Sequence, residues 1–133
     1  MDITPPPNAV NPTEISVGNY LSNGNGNFFI DESTLFDIWE SWKESQICWW
    51  EPVPLTTEWL TKFDFFTDEE MPNNWRKSAG RKTLILVFED NLIHYFYQKD
   101  IGEKYQDLHL NYDQVHQLQN LYYWLMEEKL QLP

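Results

Sequence analysis

The clearest periodic pattern of apolar residues lies in the last segment of the chain. Apolar side chains recur there at helical spacing, at Val115, Leu118, Leu121, Tyr122, Leu125 and Met126. At about 100° per residue these positions cover an arc of about 140°, which is the width expected of a helix that lies on a sheet. We therefore predict a C-terminal helix that begins near Asn111, with Gln114 in the position of a capping box.

Two shorter helices are indicated in the first half of the chain. Asp31 can start a helix whose apolar positions repeat at i, i+3, i+4 and i+7, namely Leu35, Ile38, Trp39 and Trp42. We expect this helix to end near Ser45. Another helix can begin at Thr56, and its inward-facing side chains are Trp59, Leu60 and Phe63.

A strand pattern dominates the region before the C-terminal helix. Residues 83–88 and 92–97 are rich in β-branched and aromatic side chains, and three turn-forming residues, 89–91, separate them. Residues 105–110 alternate between polar and apolar side chains. The pattern predicts a three-stranded antiparallel meander.

The N-terminal half supplies weaker strand signals. Residues 15–21 and 28–30 flank a turn rich in Gly and Asn, which predicts a hairpin. Residues 67–80 lack a period, so we expect a surface loop there. Residues 1–13 contain four prolines and are predicted to form a flexible arm, because proline lacks a backbone donor.

These elements together predict an α+β fold. An antiparallel meander over residues 83–110 is extended by the N-terminal hairpin, and the C-terminal helix and the two short helices pack on the sheet. We expect residues 14–133 to form a single α+β domain, since one core suits a chain of this length.

The charge of the chain has two readings, a solvated acidic surface without further role and a surface that favours basic partners. Nine Lys and Arg residues stand against 21 Asp and Glu residues, a net charge of −12. Such a chain repels nucleic acids and anionic membrane surfaces and attracts basic proteins. The single cysteine, Cys48, excludes an internal disulfide, and there is neither a signal-peptide pattern nor an apolar run long enough to span a membrane. We expect a cytoplasmic protein.

The sequence contains no recognisable catalytic or metal-binding pattern. His94, His109 and His116 have no second His or Cys at ligand spacing, and no nucleophile accompanies the pair Asp113 and His116. The glycines do not have the spacing of a phosphate-binding loop. We therefore predict a protein that is not an enzyme and that uses no cofactor and no metal.

Two segments resemble a known group of proteins. Residues 54–65 read Pro-Leu-Thr-Thr-Glu-Trp-Leu-Thr-Lys-Phe-Asp-Phe, and residues 115–122 read Val-His-Gln-Leu-Gln-Asn-Leu-Tyr. They resemble a family of small proteins encoded by phages and integrated elements of Bacteroidota-type bacteria. In that family a Gly usually stands in place of Asp64, and often a Gly in place of Glu127 and a small residue in place of Trp124.

The resemblance and the charge lead to one main functional expectation. It is an accessory protein of a phage or other mobile element that acts in the cytoplasm of the bacterial host, where it binds and inhibits a basic host defence protein, in the most concrete version a CRISPR effector nuclease. A phage structural or assembly protein and a small enzyme of unknown class are the alternatives. We expect no direct binding of nucleic acid.

The predicted partner-binding residues are acidic turn residues and tryptophans that the core does not require. They are Asp68, Glu69, Glu70, Trp75, Glu89, Asp90 and Trp124. Trp124 lies opposite the apolar stripe of the last helix, so it is either covered by the N-terminal arm or offered to a partner.

Overall fold

The computed structural model describes residues 6–132. Contacts between Cα atoms divide the chain into two compact units. The first comprises the residues up to Pro54 together with Gln114–Asn120, and the second comprises Leu55–Asp113 together with the residues from Leu121 onward. Each unit contains an antiparallel sheet and helical residues, so the α+β class is confirmed.

The first unit is built on a three-stranded sheet. Its elements are a 3-10 helix (Pro12–Glu14), β1 (Tyr20–Ser22), β2 (Asn27–Phe29), α1 (Glu32–Ser45) and β3 (Glu51–Pro52). In the sheet β1 lies between β2 and β3. Leu21 of β1 and Ile38 of α1 are buried in one core with Ile30 and Cys48.

The ends of α1 are fixed by local side-chain chemistry. The Asp31 carboxylate accepts a hydrogen bond from the backbone N–H of Thr34 at 2.8 Å, and this bond lowers the pKa of Asp31. At the other end Gln46 adopts the left-handed conformation with φ 57°. The predicted helix is confirmed, although Trp39, at the edge of its stripe, remains 40% exposed.

The second unit is built on a four-stranded sheet with the order β4–β5–β6–β7. Its elements are α2 (Thr57–Lys62), β4 (Asn74–Ala79), β5 (Lys82–Glu89), β6 (Leu92–Gln98), β7 (Gln106–Asp107) and the second half of α3 (Val115–Met126). Fully buried side chains on one face of the sheet, Leu84, Leu86 and Tyr95, belong to the core of this unit, as do Phe63 and Tyr122.

The N-terminal hairpin does not extend the meander, as the sequence analysis had proposed. It pairs instead with β3, where Leu21 is the partner of Pro52. Pro52 is tolerated in β3 because β3 is an edge strand, and an edge strand accepts a proline whose missing N–H would point away from the sheet. The first strand also begins later than expected, at Tyr20, because the preceding Gly18 has φ 98°.

Residues 67–80 are not only a loop, because their second half forms β4. The sequence pattern does not predict this strand, because charged side chains interrupt its apolar positions. Lys77 lies on the core-facing side, where its ammonium group donates to the backbone oxygen of Phe63 at 2.8 Å. Its aliphatic stem covers apolar surface there, as long basic side chains often do.

The predicted flexible arm is partly built into the first unit. Residues 1–5 lie outside the described part of the chain. Val10 and Pro12 are buried, and the backbone N–H of Val10 donates to the backbone oxygen of Trp50 at 2.9 Å. The boundary proposed at residue 13 therefore does not separate an arm from packed residues. That residues 14–133 form a single domain remains a prediction.

The last helix begins at Val115, four residues after the predicted start near Asn111. Just before the helix, Gln114 forms an isolated antiparallel bridge with Pro54, and the backbone N–H of Val115 donates to the backbone oxygen of Val53 at 2.8 Å. These bonds hold residue 114 in an extended conformation, so Gln114 cannot complete a capping box within the helix. The apolar stripe itself is correct, since Val115, Leu118 and Tyr122 are fully buried.

Candidate functional site

One face of the four-stranded sheet is buried and the other carries an open groove. Cross-strand partners share a face, and Ile85 of β5 is the partner of both Arg76 of β4 and Phe96 of β6. The groove has a volume of about 570 Å³. Its lining residues are Met71, Asn74, Arg76, Ile85, Val87, Glu89, His94, Phe96 and Tyr105. Its volume falls within the usual range for ligand pockets, about 300 to 1,000 Å³.

Arg76 is the basic residue of the groove. Its guanidinium group lies 3.7 Å from a carboxylate oxygen of Asp68, and 29% of its side chain is exposed. The Nε atom is buried and makes no hydrogen bond to any residue between 6 and 132. A buried N–H without an acceptor is costly, and the nearby Asp68 carboxylate balances the charge of the Arg76 guanidinium group.

Acidic residues gather at one end of the groove. The backbone N–H of Phe88 donates to the backbone oxygen of Asn73 at 3.2 Å, and this bond joins the loop before β4 to the end of β5. The loop carries Asp68, Glu69 and Glu70, and the turn after β5 carries Glu89 and Asp90, all of them exposed. The structure thus brings together five of the seven residues predicted to bind a partner.

A local hydrogen bond closes one of the acidic segments, and the other is a tight hairpin turn. A carboxylate oxygen of Asp68 accepts from the backbone N–H of Met71 at 2.8 Å, and this bond closes the loop. Asp90 and Asn91 have φ values of 52° and 64°, which are typical of a tight two-residue hairpin turn. The acidic rim is therefore carried by two short, closed turns.

The other two predicted residues do not belong to this groove. Trp75 is the partner of Leu86, so it lies on the buried face and is partly covered. This position corrects the view that the core does not require it. Trp124 lies on α3, whose Leu125 backbone oxygen accepts from Lys82 on the buried face at 3.1 Å. At 82% exposure Trp124 is an isolated surface side chain rather than part of the groove.

The aromatic residues of the groove, Phe96 and Tyr105, were missed in the sequence analysis. The run from Leu92 to Gln98 is apolar at almost every position, so the alternation that separates a buried face from an exposed one is hidden. Only the register between β5 and β6 assigns Phe96 to the groove and Tyr95 to the core.

Three further basic residues of β4, β5 and the turn between them are engaged within the second unit. Lys77 and Lys82 donate to backbone oxygens, and Arg81 pairs with Asp100. These three side chains are engaged on the opposite face or at the far end of the sheet. The local balance at the groove is therefore one arginine against five acids.

The polar residues of the second resembling segment have a structural role in the first unit. Gln119 accepts from the backbone N–H of Tyr20 at 2.9 Å and donates to the backbone oxygen of Gly18 at 2.8 Å. Asn120 donates to the backbone oxygen of Glu14 at 2.8 Å. These side chains hold the loop between the 3-10 helix and β1 against α3.

His116 also lies at this contact between α3 and the segment that carries Glu14. It is fully buried, and its Nε2 atom lies 3.8 Å from a carboxylate oxygen of Glu14. Burial lowers the pKa of His116, although the negative charge of Glu14 opposes this shift. Neither ring nitrogen makes a hydrogen bond within the described residues.

The three histidines lie at separate places. His94 lines the groove, His109 occupies an exposed turn with φ 52°, and His116 is buried in the first unit. In the described part of the chain no three His, Cys, Asp or Glu residues are arranged to hold a metal ion. Within the same residues no helix is long and apolar enough to cross a membrane.

Comparison with known proteins gives no match to this chain among family models, curated sequences or solved structures. Its function is therefore argued from the groove, the charge and the contacts described above.

Proposed function

We propose that this protein is a non-enzymatic binding protein whose groove holds a basic and partly apolar segment of a partner protein. The observation that carries this proposal is the meeting of an open apolar sheet face with five acidic residues at one of its ends. Apolar walls provide binding energy by burial, and the acidic rim selects a basic segment over an acidic one.

The surface around the groove favours the same partner. Every described Asp and Glu residue is exposed except Glu51 and Asp100, which are partly buried. With a net charge of −12 this surface attracts basic proteins over distances comparable to the Debye length, about 8 Å at physiological salt. Attraction of this kind increases the rate of association.

The pairing of Arg76 with Asp68 allows a basic segment to enter without strong repulsion. The guanidinium group of Arg76 lies 3.7 Å from a carboxylate oxygen of Asp68, which balances its charge. The positive side chains of the bound segment contact the acidic rim.

We further propose a specific biological setting for this binding protein. The two resembling segments and the acidity support an accessory protein of a phage or other mobile element that acts in the cytoplasm of a bacterial host. There it inhibits a defence protein that handles nucleic acid, with a CRISPR effector nuclease as the concrete target. Such proteins present basic channels, and a compact acidic surface can compete with nucleic acid for them.

Capture of partners from a bacterial lysate tests the proposal when it is combined with matched variants. The groove variant reverses three rim charges, Glu69→Lys, Glu70→Lys and Glu89→Lys. The control variant makes the same change in net charge at three exposed acids elsewhere, Glu40→Lys, Glu44→Lys and Glu103→Lys.

We expect the unchanged protein and the control variant to retain a basic protein that the groove variant releases. Equal retention by all three proteins would refute the groove as the binding site. Capture of only further copies of the chain would favour an assembly protein instead, and turnover of a small molecule by the purified chain would favour an enzyme.

A further inference from the structure

A second cavity lies in the first unit, between α1 and the segment that follows it. It has a volume of about 240 Å³. Its lining residues are Thr34, Asp37, Ile38, Ser41, Ile47, Cys48, Trp49 and Trp50. We call it the indole pocket. It shares no residue with the groove of the second unit.

The walls of the indole pocket are aromatic and its charge is negative. Trp49 and Trp50 are among its lining residues, 39% of Trp49 remains exposed, and the Trp50 ring packs edge-to-face against Phe28 at 6.1 Å. Asp37 is the only Asp, Glu, Lys, Arg or His among the lining residues, and its carboxylate has no hydrogen bond or ion pair within residues 6–132. A cavity of this kind has an electron-rich wall and an unpaired anion.

The remaining polar groups of the pocket are already engaged or buried. The Ser41 hydroxyl donates to the backbone oxygen of Ile47 at 3.3 Å, which fixes the segment after α1 against the helix. The Cys48 thiol is buried, and burial raises its pKa, so it stays neutral. Asp37 therefore provides the charged group that an incoming ligand would contact.

From this arrangement we propose that the indole pocket binds the guanidinium group of an arginine side chain that a partner protein inserts. A cation over an indole face is attracted by the ring quadrupole, and tryptophan is the best aromatic residue for this contact. A guanidinium group is planar, so it can stack on an indole and also present paired N–H donors to one carboxylate.

Other ligand classes fit the pocket less well. An anion would meet Asp37 and a surface of net charge −12. A neutral ligand would remove water from the Asp37 carboxylate without giving it a partner, which is costly. The volume of 240 Å³ is below the usual range for drug-sized ligands, about 300 to 1,000 Å³, and suits one inserted side chain.

The inference is independent of the groove because it can be tested with a small arginine derivative alone. The measurement is an NMR titration of the indole N–H signals of Trp49 and Trp50, assigned with Trp49→Phe and Trp50→Phe. The probe is Nα-acetyl-arginine amide. Its neutral analogue of the same shape, Nα-acetyl-citrulline amide, serves as the ligand control.

We expect both indole signals to move and to saturate at millimolar arginine derivative, which is the affinity range of a single small contact, about 4 kcal/mol. The citrulline analogue should bind at least about tenfold more weakly, since it lacks the charge. Asp37→Asn should weaken binding by about tenfold, whereas Glu40→Gln, an equal charge change at an acid of α1 that does not line the pocket, should change it less than about twofold.

Three results would overturn the inference. Equal affinity for the arginine and citrulline derivatives would show that charge is not recognised. Equal effects of Asp37→Asn and Glu40→Gln would show only a general attraction to an acidic chain. Tighter binding of tetramethylammonium than of the arginine derivative would exclude a guanidinium site and identify one for quaternary ammonium groups.

Discussion

Replacing Gln119 by methionine should strongly destabilise the protein, although the two side chains have similar size. Gln119 is only 5% exposed, and it satisfies the backbone N–H of Tyr20 and the backbone oxygen of Gly18. Methionine retains the volume and removes both hydrogen bonds. Each buried polar group that loses its partner costs about 1 to 3 kcal/mol, so we expect a total loss of about 2 to 4 kcal/mol when some relaxation is allowed.

The assay is urea unfolding followed by circular dichroism, with Trp124→Met as the control. The control places a methionine on the same helix at a site that is 82% exposed, where substitutions change stability by less than about 0.5 kcal/mol. Equal unfolding midpoints for the two variants would refute the structural role assigned to the second resembling segment. A loss confined to Gln119→Met would confirm it.

Three further predictions concern single side chains. Tyr95→Phe should lower the free energy of unfolding by about 0.5 to 1.5 kcal/mol, because the Tyr95 hydroxyl donates to the backbone oxygen of Tyr112 at 2.9 Å. In the same urea assay Tyr122→Phe should be neutral or stabilising, because the buried Tyr122 hydroxyl makes no hydrogen bond within the described residues. Glu127→Gly should stabilise the protein by up to about 1 kcal/mol, since Glu127 follows α3 in the left-handed region with φ 59° and a glycine adopts this conformation without strain. A loss of stability in this variant would contradict that explanation. Burial lowers the pKa of folded His116, so the unfolded chain takes up the proton first and stability should fall as the pH drops below about 6.5, by at most about 1.4 kcal/mol per pH unit. His116→Gln should flatten that slope and the exposed His109→Asn should leave it unchanged; equal slopes in both variants would exclude His116 as its source.

Local side-chain chemistry was readable from the sequence. Asp31 caps α1, as its place before an apolar stripe predicted, and Asp64 takes up the left-handed conformation with φ 66° where the resembling family has glycine. The hairpin of β5 and β6 was also predictable, because two β-branched and aromatic runs flank a short turn. In each case a few neighbouring residues determine the outcome.

Features that depend on distant contacts were not readable. Arg76 and Lys77 of β4 look like a solvated loop until the strand pairs with β5, and His116 looks exposed until the loop near Glu14 covers it. The N-terminal hairpin joined β3 rather than the meander because nothing in the local pattern of either segment specifies its partner.

The candidate site was likewise predictable only in part, by residue type but not by the contacts between distant residues. The acidic turns around Asp68 and Glu89 were identified from their residue types, but their proximity follows from the pairing of β4 with β5. The aromatic residues that line the groove, Phe96 and Tyr105, were not predicted, since an apolar run gives no sign of which face is open. Trp75 lies on the buried face of the sheet and Trp124 on the exposed surface of α3, and their role in partner binding stays a prediction.

The most direct test of the proposed groove is the association rate of a captured basic partner at two salt concentrations. Between about 0.1 M and about 1 M salt the Debye length falls from about 10 Å to about 3 Å, so attraction by the acidic rim should disappear. The account predicts that association of the unchanged protein slows by at least about tenfold over this range. For the variant Glu69→Lys, Glu70→Lys and Glu89→Lys it predicts slow association at both concentrations. Fast, salt-independent association by both proteins would contradict the account.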